Sequence, residues 1–217
     1  MKNLLIKEFR LCASPLTWAF LAAGFFTLLP GYPILLGSFF ISLGLLHSFQ
    51  NGRETNDILF SILLPVPKAD VVRAKYAFCG FIQLTGFLIM VVLTIIRMRL
   101  MGEAEVYRQN ALMNAGPLFL TFVLLIFAAF NTVFLGGFFR TAYRTGIPFL
   151  SFGITTFFLV AVGESLHFFP GLEFLNEPNG ERVGPQMIML AVGLLIYLLS
   201  TWVSCRRSIR RMEMLDF

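Results

Sequence analysis

Long apolar runs separated by short polar breaks dominate the chain. Between Arg10 and Arg53, 42 residues pass without one Asp, Glu, Lys or Arg, interrupted near the middle by Pro30-Gly31-Tyr32-Pro33. A hydrocarbon core of about 30 Å takes about 20 helical residues, so this interval predicts two spanning helices joined by a tight turn. Four further charge-free intervals follow, Tyr76–Ile96, Gln109–Phe139, Thr145–Gly163 and Val183–Cys205, of 21, 31, 19 and 23 residues. Each holds one span. The pattern predicts an all-α membrane protein, a single transmembrane domain over 1–217 with six transmembrane helices. Their expected positions are about 15–31, 34–50, 71–96, 115–139, 146–167 and 185–205.

The segments between the spans have patterns of their own. In residues 1–14, Leu4, Leu5, Phe9 and Cys12 share one helical face, and Asn3, Lys7, Arg10 and Ser14 share the other. That pattern predicts an amphipathic elbow helix in the membrane interface. Ser14-Pro15 then supplies a cap followed by proline at the first helical position. The first apolar run continues into the second without a small-residue cleavage site, so it reads as mature sequence. Gly37, Ser38, Ser42 and Gly44 let another helix approach the second span closely. Segment 51–70 carries Ile58, Leu59, Phe60, Ile62, Leu63 and Leu64 ahead of Pro65 and Pro67, a short helix stopped before the third span. Phe168–Gly184 predicts a helix that breaks and partly re-enters the outer leaflet.

Composition agrees with a lipid solvent: 57% of residues are hydrophobic, only 13% are charged, and mean hydropathy is +0.79. A soluble domain carries about a quarter charged residues. Of the 17 Lys and Arg, thirteen fall on the side of the N-terminus and only Arg97, Arg99, Arg108 and Arg182 on the other. The positive-inside rule then puts both termini and segment 51–70 in the cytoplasm of a prokaryotic cell with an inner membrane. The net charge of +5 is thus a topology signal, and no nucleic-acid partner is expected. Cys12, Cys79 and Cys205 read as small apolar packing residues. His47 and His167 lie near opposite faces and supply no metal ligand set.

Catalytic motifs do not occur. There is no phosphate loop, no His-Glu-x-x-His, no Gly-x-Ser-x-Gly and no paired Cys motif. Glu164 and His167 share a helix face at the outer end of the fifth span, without a third partner, and read as an interfacial pair. Uncharged polar residues inside the spans, Gln83, Thr85, Asn131, Thr155 and Thr156, are helix–helix hydrogen-bonders or line a path. Gln83, Asn131 and Thr155 are the candidates for a translocation path.

The stretch from Gly52 to Tyr76 resembles the cytoplasmic segment of small ABC-2 type exporter permeases, including the phenol-soluble-modulin exporter group. In those, a Glu and a few polar residues precede a short helix ending in Leu-Pro-Val-Ser-Arg, and a Lys-Tyr opens the third span. Glu54, Asn56, Leu64-Pro65-Val66, Lys68, Val72 and Lys75-Tyr76 match; Pro67 replaces the Ser and Lys68 the Arg. The resemblance implies a permease that dimerises, as homodimer or similar heterodimer, and docks on a separate ATP-binding cassette ATPase. That partner would bind ATP and Mg; this chain would hold no cofactor and catalyse no reaction. The segment after the second span would be the coupling helix, with Glu54, Asn56, Asp57, Phe60, Leu63, Leu64, Pro65, Val66, Lys68, Lys75 and Tyr76 at the junction. Ile58, Phe60, Ile62 and Leu63 would anchor it, and Glu54, Asp57, Lys68 and Arg73 would be rim charges. Walls rich in Phe suit an amphipathic peptide or other apolar cargo. A non-transporting membrane scaffold or sensor accessory protein is the alternative.

The charge count makes a direct prediction. A thiol introduced as Asn56→Cys reacts with an impermeant maleimide only after the cytoplasmic side is opened. Labelling of intact cells from outside would reverse the topology.

Overall fold

The computed structural model describes residues 2–63, 65–102, 104–141, 143–176 and 183–214. Leu64 and Arg182 lie outside the described residues, as do the side chains of Ile58, Leu59 and Ile62. Among the described residues every regular element is helical.

In chain order the helices are α1 (Lys2–Lys7), α2 (Pro15–Ala19), α3 (Leu36–Glu54), α4 (Asp57–Leu63) and α5 (Lys68–Ile96). There follow α6 (Glu105–Arg108), α7 (Pro117–Ala129), α8 (Gly136–Arg140), α9 (Gly146–Ser165) and α10 (Val183–Glu213). α1 continues as a π-helical turn through Cys12, and α2 as a 3-10 helix through Leu28. A π-helical turn, Phe130–Leu135, joins α7 to α8 in one rod.

Among the described residues, four helices are long and apolar enough to cross a membrane: Lys68–Met101, Pro117–Arg140, Gly146–Phe168 and Gly184–Glu213. The pair Lys2–Cys12 and Pro15–Leu28, bent by 91°, passes only when taken together. The expected spans at 15–31 and 34–50 therefore do not stand alone on length and composition. The first ends at Leu28 and is too short, and the second is diluted by its content. α3 carries Ser38, Ser42, His47, Ser48, Gln50 and Asn51, which lower its apolar average.

Those small and hydroxylated residues are used in packing. A Cβ at Gly44 would meet the Cβ of Phe20 at 2.9 Å and the Cα of Thr17 at 3.2 Å; at Gly37 it would meet the Ala23 carbonyl at 2.7 Å. The backbones of α2 and α3 thus run in near contact, as small residues allow. The fully buried Thr17 hydroxyl donates to the Gly44 carbonyl (2.6 Å) and pairs with the Ser48 hydroxyl (2.7 Å). Ser14 caps α2 by accepting from the Leu16 amide (3.3 Å), with Pro15 at the first helical position.

The rod formed by α7 and α8 is the centre of the bundle, with 83% of its best membrane window buried, against 11% for α10. A helix apolar on all sides belongs in the interior. Phenylalanine fills that interior. Phe119, Phe127, Phe130, Phe134, Phe138 and Phe152 are among the largest fully buried side chains. Phe49 meets Phe134 and Phe138 edge-on at 5.3 and 5.0 Å, and Phe130 meets Phe152 edge-on at 5.3 Å. Such pairs add about 0.5–1.5 kcal/mol each beyond area burial. The buried phenylalanines therefore pack on one another.

Gly37→Ala is expected to destabilise the folded protein by about 1–3 kcal/mol, since its methyl group meets a backbone oxygen that cannot swing aside. Gly80→Ala, with nothing within 4 Å of the new methyl, is the control and should melt like the wild type. Equal melting temperatures for the two variants in detergent would refute the close α2–α3 contact.

Candidate functional site

The corner between α3 and α4 is set by Asn56, whose φ of 53° is left-handed. Asn tolerates that conformation better than other side chains do, and it ends α3 as a C-terminal cap residue. Its amide donates to the Arg53 carbonyl (3.1 Å), and the Thr55 amide to that of Asn51 (3.1 Å). α4 then starts at once with Asp57.

Asp57 turns inward. One carboxylate oxygen, Oδ1, accepts from Lys7 Nζ at 2.7 Å and the other, Oδ2, from Lys75 Nζ at 2.8 Å. Lys75 also donates to both oxygens of Glu8, at 3.2 and 3.0 Å. Lys7 closes the circuit with Glu8 at 3.1 Å and donates to Ser61 at 2.6 Å. Two cations and two anions from α1, its π-helical turn, α4 and α5 thus form one neutral cluster. The side chains of Glu8, Lys75, Asp57 and Lys7 are only 2%, 5%, 6% and 10% exposed. The Lys75 ammonium also lies 5.6 Å from the Phe49 ring centroid.

Burial by itself would raise the Asp57 carboxyl; attraction to Lys75 and the Lys7 and Lys75 hydrogen bonds outweigh it and hold it below its ordinary value. Burial likewise pushes the neighbouring Cys12 thiol up, even beside Lys75. Glu8, Cys12 and Asp57 bring ligand-type atoms within 4.8 Å of one another. Both carboxylates are already neutralised by ammonium groups and the thiol is held protonated, so the donor set does not suit a metal ion.

The residues expected at the junction divide between two faces. Glu54, Asn56, Phe60, Leu63 and Pro65 are exposed, with Phe60 at 57% and Leu63 at 78%. Val66 and Lys68 are half-buried. Asp57, expected as a rim charge, is interior, as is Lys75, because both are consumed by the cluster. Tyr76 is buried against α10, its hydroxyl paired with Ser204 (2.8 Å) and Ser208 (3.0 Å). Lys7 and Glu8 complete the cluster, and sequence reasoning missed both roles. A usable signal existed: Glu8 is the one acidic residue before Glu54.

Gln83 and Asn131 face each other across α5 and the π-helical turn through two reciprocal amide hydrogen bonds of 3.0 Å. Tyr197 donates to Gln83 (2.9 Å), Asn131 to Thr201 (2.9 Å), and Ser204 to the Asn131 carbonyl (2.7 Å). This network ties α5, the central rod and α10 together. Thr155 stands apart on α9, half-exposed, its hydroxyl turned back to the Ser151 carbonyl (2.9 Å). Glu164 and His167 do not pair with each other; they bind the Met113 amide (2.7 Å) and the Ala111 carbonyl (3.2 Å) ahead of α7.

A protein family described as "ABC-2 family transporter protein" matches residues 3–208, nearly the whole chain. Neither a curated protein nor a solved structure matches.

Lys75→Ala leaves two buried carboxylates facing one ammonium and should cost about 3–5 kcal/mol. Glu8→Gln with Lys75→Met restores neutrality and should recover most of the loss; a double variant as unstable as the single would refute pairing. Because the folded Asp57 value lies below the ordinary 3.8, its contribution is present above that pH and is lost as pH falls through the folded value. Thermal unfolding between pH 7 and pH 3 should therefore show an acid loss that Asp57→Asn reduces.

Proposed function

Because the chain belongs to the ABC-2 transporter family and is a multi-pass membrane permease of that family, we propose that it forms the translocation path of an exporter driven by a separate ATPase. The observation that carries this reading is α4. Its inner face is fixed to α1 and α5 by the neutral ion cluster, and its outer face presents Phe60 and Leu63. Exposed apolar side chains on a helix locked to the bundle are what a docked soluble domain needs to move a span. Beside them a cavity of about 530 Å³, lined by Lys2, Leu4, Lys7, Phe60, Pro65 and Val66, opens to receive a partner side chain.

In this reading α2 and α3 cross the membrane as a closely packed pair, making six spans, and both termini lie in the cytoplasm of a prokaryotic cell. α1 lies in the inner interface, consistent with its 91° bend to α2. Two permease copies, each with an ATPase holding ATP and Mg, would alternate between states of different access. Gln83 and Asn131 act as a latch between helices, and an amphipathic cargo would pass when that latch parts.

Phe60→Asp should leave the protein inserted and folded but abolish co-purification of the ATPase, because a carboxylate would sit unpaired in an apolar contact. Leu63→Asp should do the same, and Thr155→Val should bind as wild type. Pull-down from membranes expressing both subunits, with size-exclusion elution as the folding control, measures all three. Undiminished ATPase capture by both Asp variants would move the docking surface elsewhere. A chain that captures no ATPase in its wild-type form would be a scaffold instead.

A further inference from the structure

A cavity of about 580 Å³ lies between the central rod, α9 and the C-terminal half of α10, touching the polar network described above through Ser204. One end is cationic, with Arg140 at the end of α8 and Arg207 and Arg211 on α10. Among the described residues none of the three is ion-paired with a carboxylate. Arg211 donates to the Gly136 carbonyl at 3.0 Å, which holds its guanidinium against the cavity wall. Hydroxyl groups of Ser200 and Ser204 follow, and then Val133 and Leu199, with Ile147 in the first turn of α9 along the side. Leu199 and Arg207 are eight residues apart on one helix, about 12 Å of rise. Charge therefore gives way to hydroxyl and then to hydrocarbon over a distance matching a phospholipid headgroup and its first methylenes. The cavity is open along its side: Ile147 and Leu199 are exposed on α9 and α10.

We propose that this cavity is a binding site for an anionic phospholipid, with the phosphate among Arg140, Arg207 and Arg211 and an acyl chain along Ile147 and Leu199. Guanidinium groups without a carboxylate partner among the described residues, set in a roomy pocket, favour a phosphate, which they contact through paired N–H donors. Basic pockets between transmembrane helices take anionic headgroups for the same reason. A soluble anion would gain nothing from the apolar end, and a zwitterionic lipid would bring its own cation to the arginines. Both comparisons discriminate. The proposal rests on the membrane placement of α9 and α10 and not on ATPase docking.

The test is native mass spectrometry of the full-length protein in a neutral detergent, titrated with phosphatidylglycerol, phosphatidylcholine or inorganic phosphate. Phosphatidylglycerol should be retained, phosphatidylcholine should bind about tenfold or more weakly, and phosphate should not compete. Arg140→Gln with Arg207→Gln should weaken phosphatidylglycerol about tenfold or more. Arg206→Gln with Arg210→Gln removes the same charge from positions outside the cavity, where Arg206 stacks on Trp202 at 3.9 Å, and should stay within about twofold of wild type. Ser200→Phe fills the cavity with every arginine in place and should also lose the lipid; it decides the matter if the arginine variant elutes as aggregate. Equal losses in the two arginine pairs, equal binding of the two lipids, full competition by phosphate, or lipid retained by Ser200→Phe would each overturn the site.

Discussion

Four charges removed from water hold the α1, α4 and α5 end of this molecule together. Lys7, Glu8, Asp57 and Lys75 come from elements far apart in sequence, and each is bonded to at least two of the others. A buried ion pair gives little net stability, because desolvation offsets its attraction, whereas a missing partner costs several kcal/mol. The cluster therefore acts as a demand for one arrangement. α4 can sit where it does only if α1 and the start of α5 are also in place. Neutrality makes the arrangement tolerable in an apolar setting, and Ser61 and Phe49 absorb what remains of the cationic charge.

A second constraint operates deeper in the bundle. Amide groups in lipid have no water to bond, so Gln83 and Asn131 must find each other. They do so where the central rod loosens into a π-helical turn, a departure often associated with function. The Tyr76 hydroxyl joins this network to the ion cluster's own helix one residue after Lys75. Movement of α4 thus has a continuous physical route to α10, through α5.

Much of this was legible in the sequence. Four helices among the described residues are apolar over the length of a span because their apolar runs are unbroken, and charge-free intervals mark such runs well. The pair α2 and α3 was harder: α2 and its continuation end at Leu28, short of a full span, while Ser38, Ser42 and Ser48 dilute α3 and, with its glycines, let two backbones touch. The small residues of α3 predicted that contact. The ion cluster was not legible, since Lys75 and Glu8 are 67 residues apart, and Lys7 and Asp57 are 50. Helical periodicity placed Lys7 on the polar face but does not separate a face in water from one in an ion pair. Asn131 and Gln83 stood out as polar residues within spans; that they satisfy each other is a fact of register 48 residues apart.

The crossing at Gly193 has a mechanical consequence. A Cβ there would lie 2.9 Å from the Thr121 methyl and 3.5 Å from its Cα, so α10 and α7 meet nearly backbone to backbone at that level. From Gly193 to Glu213 the helix runs about 30 Å, with Ser204, Ser208 and Met212 buried on its inner face and most of its outer face exposed. A fulcrum about a third of the way along makes the longer remainder a lever arm: a tilt of about 10° swings the far tip through about 5 Å. The hydrogen bonds of Tyr197, Thr201, Ser204 and Ser208 lie along that arm and resist the swing. Polar contacts in membranes are worth about 0.6 kcal/mol each on average. The arm is held by several weak ties spaced along its length, with the Arg211 bond to the Gly136 carbonyl nearest its tip.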